Sequence, residues 1–306
     1  MKAQAPSYDH RVRAGNQGDV VKHVALVAAL ETVADDWSEE TFRYADIFAG
    51  HARYELGADT RERWRAGIGL FRGCRRRLQT NRHVAYWVER YLSGDIPPRT
   101  YPGSSVIARD VLIAHKKAIH LSLWDISPPA IADLRREFDP KSCDVFPSNA
   151  KWTDAAVRRA NFLFIDPPGL SSRNRKRYPK LDDLAKFLSN RPAHQSLLVW
   201  LPVNADTTSS PPGEDSASWE AQEASHRFGC DGIRVRWAKG GKTIGCQLIW
   251  KLPDAAASAL IAAVKWIVKV TGWQSKLPPG INAVSETRPT RRKKSRARPD
   301  TALKER

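Results

Sequence analysis

Short apolar segments alternate with helical patterns along most of this chain, and this alternation restricts the possible folds more than any other feature of the sequence. The segment at 161–166, NFLFID, is the most strand-like stretch because it is short and apolar and is stopped by two prolines. Strands separated by helices form βαβ units, so the sequence predicts an α/β fold with a mostly parallel sheet. Other strand-like segments lie at 42–48, 120–126, 143–147 and 196–203.

The helical patterns and the last strands complete this prediction. Helical spacing with a dense arginine face runs over 59–89, and the segments at 233–238 and 244–252 predict an antiparallel hairpin. We expect the arginines of the first segment either to track phosphates or to form a solvated helix face. They are Arg72, Arg75, Arg76 and Arg77. Other helical patterns lie at 19–34, 104–117, 129–138 and 255–270.

Charge is the most unusual property of the composition. The 306 residues carry a formal net charge of +17 at pH 7, which attracts polyanions such as nucleic acid or an anionic membrane. Between Arg288 and Arg306, nine Lys or Arg residues oppose Asp300 and Glu305, and apolar residues are almost absent. The sequence therefore predicts a basic, disordered tail over 285–306, either a solvated arm or an RNA contact.

Several protein classes are excluded at this stage. No apolar run approaches the roughly eighteen residues that span a bilayer, and the first residues lack the apolar core of a secretory signal. The four cysteines form no CxxC pair, and the eight histidines show no metal-binding spacing. We therefore expect a reduced, cytoplasmic protein without a metal site or a membrane segment.

The sharpest chemical signal is Asp166-Pro167-Pro168, directly after the most strand-like segment. An acid at the carboxyl end of such a strand faces the crevice where α/β sheets bind ligands. A carboxylate and a proline carbonyl that accept the N–H bonds of a base amino group would aim the nitrogen lone pair. The hypothesis is thus positioning and charge stabilisation of a weak nucleophile, with an ordinary strand-ending turn as the alternative.

Two further acids end strand-like segments. Asp46 opens the stretch DIFAG, whose small residues allow a ligand to approach the backbone, although a tight turn has the same composition. Asp125 ends the segment HLSLWD, where an acid can bind ribose hydroxyls or can cap the following helix. Both acids are candidate cofactor contacts.

The N-terminal run from Tyr8 to His23 places aromatic, basic and turn residues ahead of a helix, as a substrate-contacting lid does. Lys22 and His23 are adjacent on that helix, so only one of them need face inward. A packed or surface histidine is the alternative for His23.

In order along the chain, these motifs resemble the 23S rRNA adenine-N6 methyltransferases of the RlmJ type. The matching landmarks are YDHRVRAGNQGDVVKH (8–23), ADIFAGHARYELG (45–57), YPGSSVIARDVL (101–112), LWD (123–125), IDPP (165–168) and LVWLPV (198–203). The resemblance implies a Rossmann-like S-adenosylmethionine-dependent methyltransferase fold with a core at 1–57 and 101–284 and a small helical insertion at 58–100. It also implies methylation of the N6 group of one adenine in unassembled 23S rRNA, and we expect the protein to be a monomer.

The resemblance also assigns roles to individual residues. It implies Asp166 as the catalytic acid, with the Pro167 carbonyl beside it, and Tyr8 and His10 near the substrate. The cofactor site of the family falls on His23, Ser104, Asp125, Asn149 and Ala150, and together with the residues singled out above we expect cofactor contacts at Lys22, Asp46, Phe48 and Asp166 as well.

Two positions depart from the pattern of that family. Phe48 stands where the family usually has histidine, so a stacking contact is possible there but a side-chain hydrogen bond is not. Gly169 stands where an aromatic ring is expected to stack on the target base, a contact worth roughly 1–3 kcal/mol. Tyr8 could supply the ring that stacks on the base instead. Two other functions also stay open, a DNA adenine-N6 methyltransferase and a degenerate RNA-binding protein without catalysis.

Overall fold

The computed structural model describes residues 13–56, 61–71, 80–93, 100–151, 153–167, 181–203, 228–239 and 242–276. Its centre is an eight-stranded mixed sheet, and a separate pair of short strands lies beside it. The strands are β1 (Thr41–Asp46), β2 (Arg53–Glu55), β3 (Thr100–Pro102), β4 (Ala118–Trp124), β5 (Cys143–Phe146), β6 (Phe162–Ile165), β7 (Ser196–Val203), β8 (Asp231–Lys239), β9 (Lys242–Lys251) and β10 (Gln274–Lys276).

The sheet order is β10-β8-β9-β7-β6-β1-β4-β5. Strands β5, β4, β1, β6 and β7 are parallel, whereas β9, β8 and β10 are joined by antiparallel pairs. The predicted parallel sheet with an antiparallel hairpin is therefore confirmed. Because β1 lies between β4 and β6, the direction of winding reverses there, and a crevice is expected outside the carboxyl ends of these strands.

Helices cover both faces of this sheet, which is why the central strand β6 is apolar and buried throughout. The two faces alternate along β6, where Phe162 and Phe164 join one core while Leu163 and Ile165 join the other. The helices are α1 (Gln17–Asp35), α2 (Arg61–Ala66), α3 (Arg82–Tyr91), α4 (Ser104–Ala114), α5 (Pro128–Glu137), α6 (Ala155–Arg159), α7 (Leu181–Ser189) and α8 (Asp254–Thr271). Within the described ranges, none of these helices is long and apolar enough to span a bilayer.

Helix α1 is buried on nearly every side. It packs against α3, α4 and α8 and against β7, and most of its residues belong to the core. Its start is fixed by the Asn16 side chain, which accepts hydrogen bonds from the backbone N–H groups of Gly18 and Asp19. Polar residues in its first turns are therefore held inside the protein.

The continuous helical pattern predicted over 59–89 is broken in the structure. Helix α2 ends at Ala66, a 3₁₀ turn follows over Ile68–Phe71, and α3 begins after Asn81, whose side chain accepts from the Val84 N–H. At the break, Gly67 passes so close to the loop before α1 that a Cβ on it would lie 2.1 Å from the Gly15 carbonyl oxygen. The arginines predicted to track phosphates, at 72–77, lie outside the described residues.

The segment between β2 and β3 leaves and rejoins the core at one place. Strands β2 and β3 pair antiparallel, with Glu55 opposite Thr100. The segment then packs back on the core through the buried His83, whose Nδ1 hydrogen-bonds Glu31 on α1, and through Trp266 of α8, which donates to Thr80 at 2.6 Å. Sequence patterns missed these two strands and also β10, because three-residue strands have no recognisable period.

Candidate active site

A cavity of about 720 Å³ opens at the carboxyl ends of β1, β4 and β6. Its position is the crevice expected where the winding of the sheet reverses. Two groups of side chains line it: one around the loops that follow β1 and β4, the other around Asp166 and the first turns of α1. The residues predicted from the sequence that line the cavity are Lys22, His23, Phe48, Ser104, Asp125, Asn149, Asp166 and Pro167.

The loop after β1 brings backbone close to the cavity. Gly50 has a φ of +64°, a conformation that favours glycine, and its N–H donates to Oδ2 of Asp125 at 2.9 Å. The other carboxylate oxygen of Asp125 accepts from the Ser127 N–H at 2.7 Å. Asp125 thus ties the loop after β1 to the loop after β4, while its remaining lone pairs face the cavity and can accept further hydrogen bonds.

The start of α4 packs tightly on the same loop. A Cβ on Gly103 would lie 2.2 Å from the His51 carbonyl oxygen, so only glycine permits this approach. The next residue, Ser104, is buried and donates its hydroxyl proton to Oδ2 of Asp46 at 2.6 Å. Ser104 therefore offers a lone pair, rather than its proton, to the cavity.

Asp46 lies behind the cavity wall rather than in it. The carboxylate is fully buried and also accepts from the Tyr44 hydroxyl at 3.3 Å and the Phe48 N–H at 3.2 Å. Burial raises the pKa of Asp46 to about 7, although the hydrogen bonds from Ser104 and Phe48 oppose that rise. Asp46 thus meets the cavity lining through its hydrogen bonds with Ser104 and the Phe48 backbone.

An ion-paired cluster closes the other side of the cavity. Nζ of Lys22 lies 2.6 Å from Oδ2 of Asp166 and 2.9 Å from Oδ1 of Asp19. The second oxygen of Asp19 accepts from the Gly15 N–H at 2.8 Å, which links the cluster to the loop before α1. Burial lowers the pKa of Lys22, but attraction to Asp166 and Asp19 outweighs it and holds the pKa well above its usual value.

Lys22 and His23 both face inward, although adjacent positions on a helix need not both do so. The Nδ1 atom of His23 lies 2.7 Å from the Tyr101 hydroxyl, and both residues line the cavity. The physical reason is that the start of α1 is surrounded by protein. Adjacent positions on a fully enclosed helix therefore both meet interior partners.

The remaining predicted residues divide into two groups. Ala150 is half-buried and packs on the second core, next to Asn149, without lining the cavity. Tyr8, His10, Pro168 and Gly169 lie outside the described residues. Among the described residues, no group of His, Cys, Asp and Glu side chains suits a metal ion.

Sequence patterns assigned no role to several residues that line the cavity, among them Trp200 and Arg13. Trp200 belongs to a strand that the sequence did identify, but alternation along one strand does not tell which face lies over a cavity. Arg13 lies in the N-terminal motif that precedes helix α1. Many residues of this chain are basic, and charge alone does not indicate which of them lines the cavity.

Comparisons with known proteins agree with the sequence motifs. The chain is 30% identical over 177 residues to the ribosomal RNA large subunit methyltransferase J of Haemophilus influenzae. It is 31% identical over 176 residues to the protein of the same name from Escherichia coli. The predicted resemblance is confirmed. Each match covers 53% of this chain and 59% of the relative, so the chain spans little more than half the length of these relatives.

Comparison of structures supports the fold. Protein LPL1258 of Legionella pneumophila, described as DUF519, superposes with a TM-score of 0.64 and covers 87% of this chain and 99% of its own. At 15% identity this likeness concerns the fold alone. Together with the sheet order, it confirms the Rossmann-like α/β fold. No family model matches the chain.

Proposed function

We propose that this chain is a cytoplasmic, monomeric S-adenosylmethionine-dependent methyltransferase that acts on the N6 amino group of an adenine in unassembled 23S rRNA. The observation that carries the proposal is the cavity that joins the loops after β1 and β4 to Asp166 after β6. The names of the two relatives support the rRNA substrate.

The cofactor side of the cavity fits a ligand with a ribose and an amino-acid end. Asp125 keeps lone pairs for ribose hydroxyls, and Phe48 offers an aromatic face without a side-chain hydrogen bond. Ser104 and His23 provide polar atoms deeper in the cavity, and Asn149 lines its rim, with Asp46 and Ala150 supporting them from behind. When bound, S-adenosylmethionine supplies an activated methyl group on its sulfonium.

Asp166 and Pro167 hold the amino group of the target base in this proposal. A carboxylate has about four acceptor positions, so Asp166 can accept one N6–H while it holds Lys22, and the Pro167 carbonyl accepts the other. These two bonds aim the nitrogen lone pair towards the cofactor side of the cavity. Once the nitrogen carries the methyl group, one N6 proton leaves to water or to Asp166.

The charges around Asp166 favour this chemistry. Two carboxylates, Asp19 and Asp166, both lie within ion-pair distance of the Lys22 ammonium, so two negative charges are held next to the position proposed for N6. Positive charge that develops on N6 as it gains a fourth bond is therefore stabilised by groups already held in place. Tyr8 and His10 contact the substrate in this proposal, and the net charge of +17 attracts RNA phosphates.

The test is transfer of labelled methyl from S-adenosylmethionine to protein-free 23S rRNA that lacks the modification. Asp166→Asn and Asp166→Ala are compared with wild type and with Asp144→Asn, a control on the exposed side of the edge strand β5. We expect N6-methyladenosine from wild type and the control, and a loss of at least a hundredfold in turnover from both Asp166 variants. Cofactor affinity, measured by calorimetry, should stay within a few-fold.

Three results would contradict the proposal. Unchanged turnover in Asp166→Asn would remove Asp166 from the mechanism. Methyl transfer to double-stranded DNA but to no RNA would mean that the substrate is DNA. Methyl transfer to neither, from a folded protein that still binds RNA, would mean that the protein binds RNA without catalysis.

A further inference from the structure

Trp200 is a large aromatic side chain that the proposed mechanism leaves without a role, although it lies in the same cavity as Asp166. Strands β6 and β7 are parallel neighbours, and Ile165 pairs with Val199. Asp166 and Trp200 each follow one residue later, so they occupy equivalent positions on adjacent strands.

Both side chains also point to the same side of the sheet. Ile165 and Val199 belong to the core opposite α1, and residues alternate between faces along a strand. Asp166 accordingly meets Lys22 of α1, and the Trp200 ring lies 5.6 Å from the same Nζ atom. The Trp200 indole and the Asp166 carboxylate thus both neighbour the ammonium group of Lys22.

The position of the indole is fixed by its surroundings. A Cβ on Gly18 would lie 3.0 Å from the Cζ2 atom of Trp200, so the glycine leaves room for the ring against the first turn of α1. Pro202, two residues further along β7, lines the cavity on the same side. The Lys22 ammonium lies over the ring at 5.6 Å from its centroid, within the range of a cation–π contact, and this contact also helps to hold the indole in place.

We propose that Trp200 is the surface on which the target base stacks, an inference that rests on the proposed function. A base lying against the indole would present its edge to Asp166 on the neighbouring strand. Stacking on an aromatic side chain tolerates every base and strengthens binding about tenfold to a hundredfold. Trp200 is therefore a positioning residue, whereas Asp166 contacts the reacting nitrogen.

The test separates base stacking from catalysis. A labelled RNA hexamer with one adenosine among abasic sites is compared with a hexamer that is abasic throughout, in equilibrium binding to wild type, Trp200→Leu and Trp200→Phe. We expect wild type to prefer the adenosine hexamer by about tenfold to a hundredfold. Trp200→Leu should lose this preference, and Trp200→Phe should keep most of it.

The control is Trp273→Leu, which removes a half-buried indole that pairs with Trp237 far from the cavity. It should keep the wild-type preference, and thermal unfolding of each variant confirms that it folds. In methyl transfer, Trp200→Leu should raise KM for RNA and leave cofactor affinity unchanged, whereas Asp166 variants lower kcat.

An adenosine preference that survives in Trp200→Leu, or that is missing from wild type, would overturn the inference. Failure of the proposed function looks different. A preference that depends on Trp200, together with no methyl transfer to any RNA, would leave the stacking surface in place and remove the enzyme activity.

Discussion

At the scale of single residues, the cavity depends on polar groups that are buried yet fully engaged. Lys22 has only 6% of its side chain exposed and Asp19 only 3%, and attraction to Asp166 and Asp19 together holds the pKa of Lys22 above its usual value. Buried ion pairs of this kind stabilise little on balance, but they are costly to break because the remaining charge has no partner. Their role is therefore to hold atoms in place.

Substitution of Lys22 by Met tests this interpretation. The change keeps most of the volume but leaves the buried Asp19 and its neighbour Asp166 without this cation. We expect it to lower the free energy of unfolding by about 3–5 kcal/mol and to abolish methyl transfer. Urea denaturation measures the first effect, and a decrease of less than about 1 kcal/mol would show that the cluster is not held as described.

Asp46 gives a prediction for the pH dependence of stability. Its pKa is about 7 in the folded protein against 3.8 as the ordinary value, so the folded state binds the proton more tightly. The contribution of Asp46 to stability is therefore complete below about pH 4 and is lost as the pH rises through 7. Asp46→Asn cannot titrate and should remove this loss.

The measurement is the difference in unfolding free energy between wild type and Asp46→Asn at several pH values. Between pH 4 and pH 7 the wild type should lose roughly 1–4 kcal/mol relative to the variant, with little further change above pH 8. A difference that does not vary with pH would mean that the carboxyl titrates normally.

At the scale of elements, the loop before α1 is held by the segment between β2 and β3. The Ile68 N–H donates to the Gly15 carbonyl at 3.0 Å, and Gly67 passes against the same peptide. Gly15 in turn donates to Asp19, so the packing of this segment reaches the ion-paired cluster.

Gly67→Ala should disturb this chain of contacts. Its new Cβ would meet the Gly15 oxygen at 2.1 Å, and backbone on both sides has to shift. We expect a decrease in stability of about 1–3 kcal/mol, as for other overpacked sites, together with reduced methyl transfer. Leu70→Ala, at a position of the same 3₁₀ turn that is 43% exposed, is the control and should leave both unchanged. Equal behaviour of the two variants would refute the coupling.

The same scale shows what the sequence predicts well. The strands β1, β4, β5, β6 and β7 were predicted to within about two residues, because each is a short apolar run flanked by turn residues. Asp125 and Asp166 follow such runs, so their meeting at one edge of the sheet was also predictable. Trp200 was not, because its closeness to Asp166 depends on the register between β6 and β7.

At the scale of the whole molecule, the positive charge is unevenly placed along the sequence. Nine basic residues lie between Arg288 and Arg306, outside the described residues, and they include few apolar neighbours that could join a core. The boundaries predicted for this tail and for the insertion at 58–100 remain predictions. The described part of the chain supplies a cavity, and the tail supplies charge.

Removal of residues 285–306 should separate these two contributions. We expect the unfolding temperature to be unchanged and RNA binding to become weaker and less dependent on salt. For single strands, the slope of log K against log salt becomes shallower by roughly 0.7 for every phosphate that the protein no longer neutralises. Titrations of 23S rRNA fragments at several KCl concentrations measure this slope, and identical slopes for both forms would show that the tail binds no phosphate.

The antiparallel pair β2–β3 has a consequence for how this molecule tolerates change. Because Arg53 pairs with Pro102 and Glu55 pairs with Thr100, the chain leaves the main sheet and returns to it at the same place, the β2–β3 pair. Insertions or deletions between β2 and β3 leave the order of the eight strands in the main sheet intact. The length of this segment can therefore vary between related proteins without a change of fold. Two contacts restrict such changes. A segment of different length must still supply a hydrogen-bond partner for Glu31, as His83 does here, and a residue without a side chain where Gly67 passes Gly15.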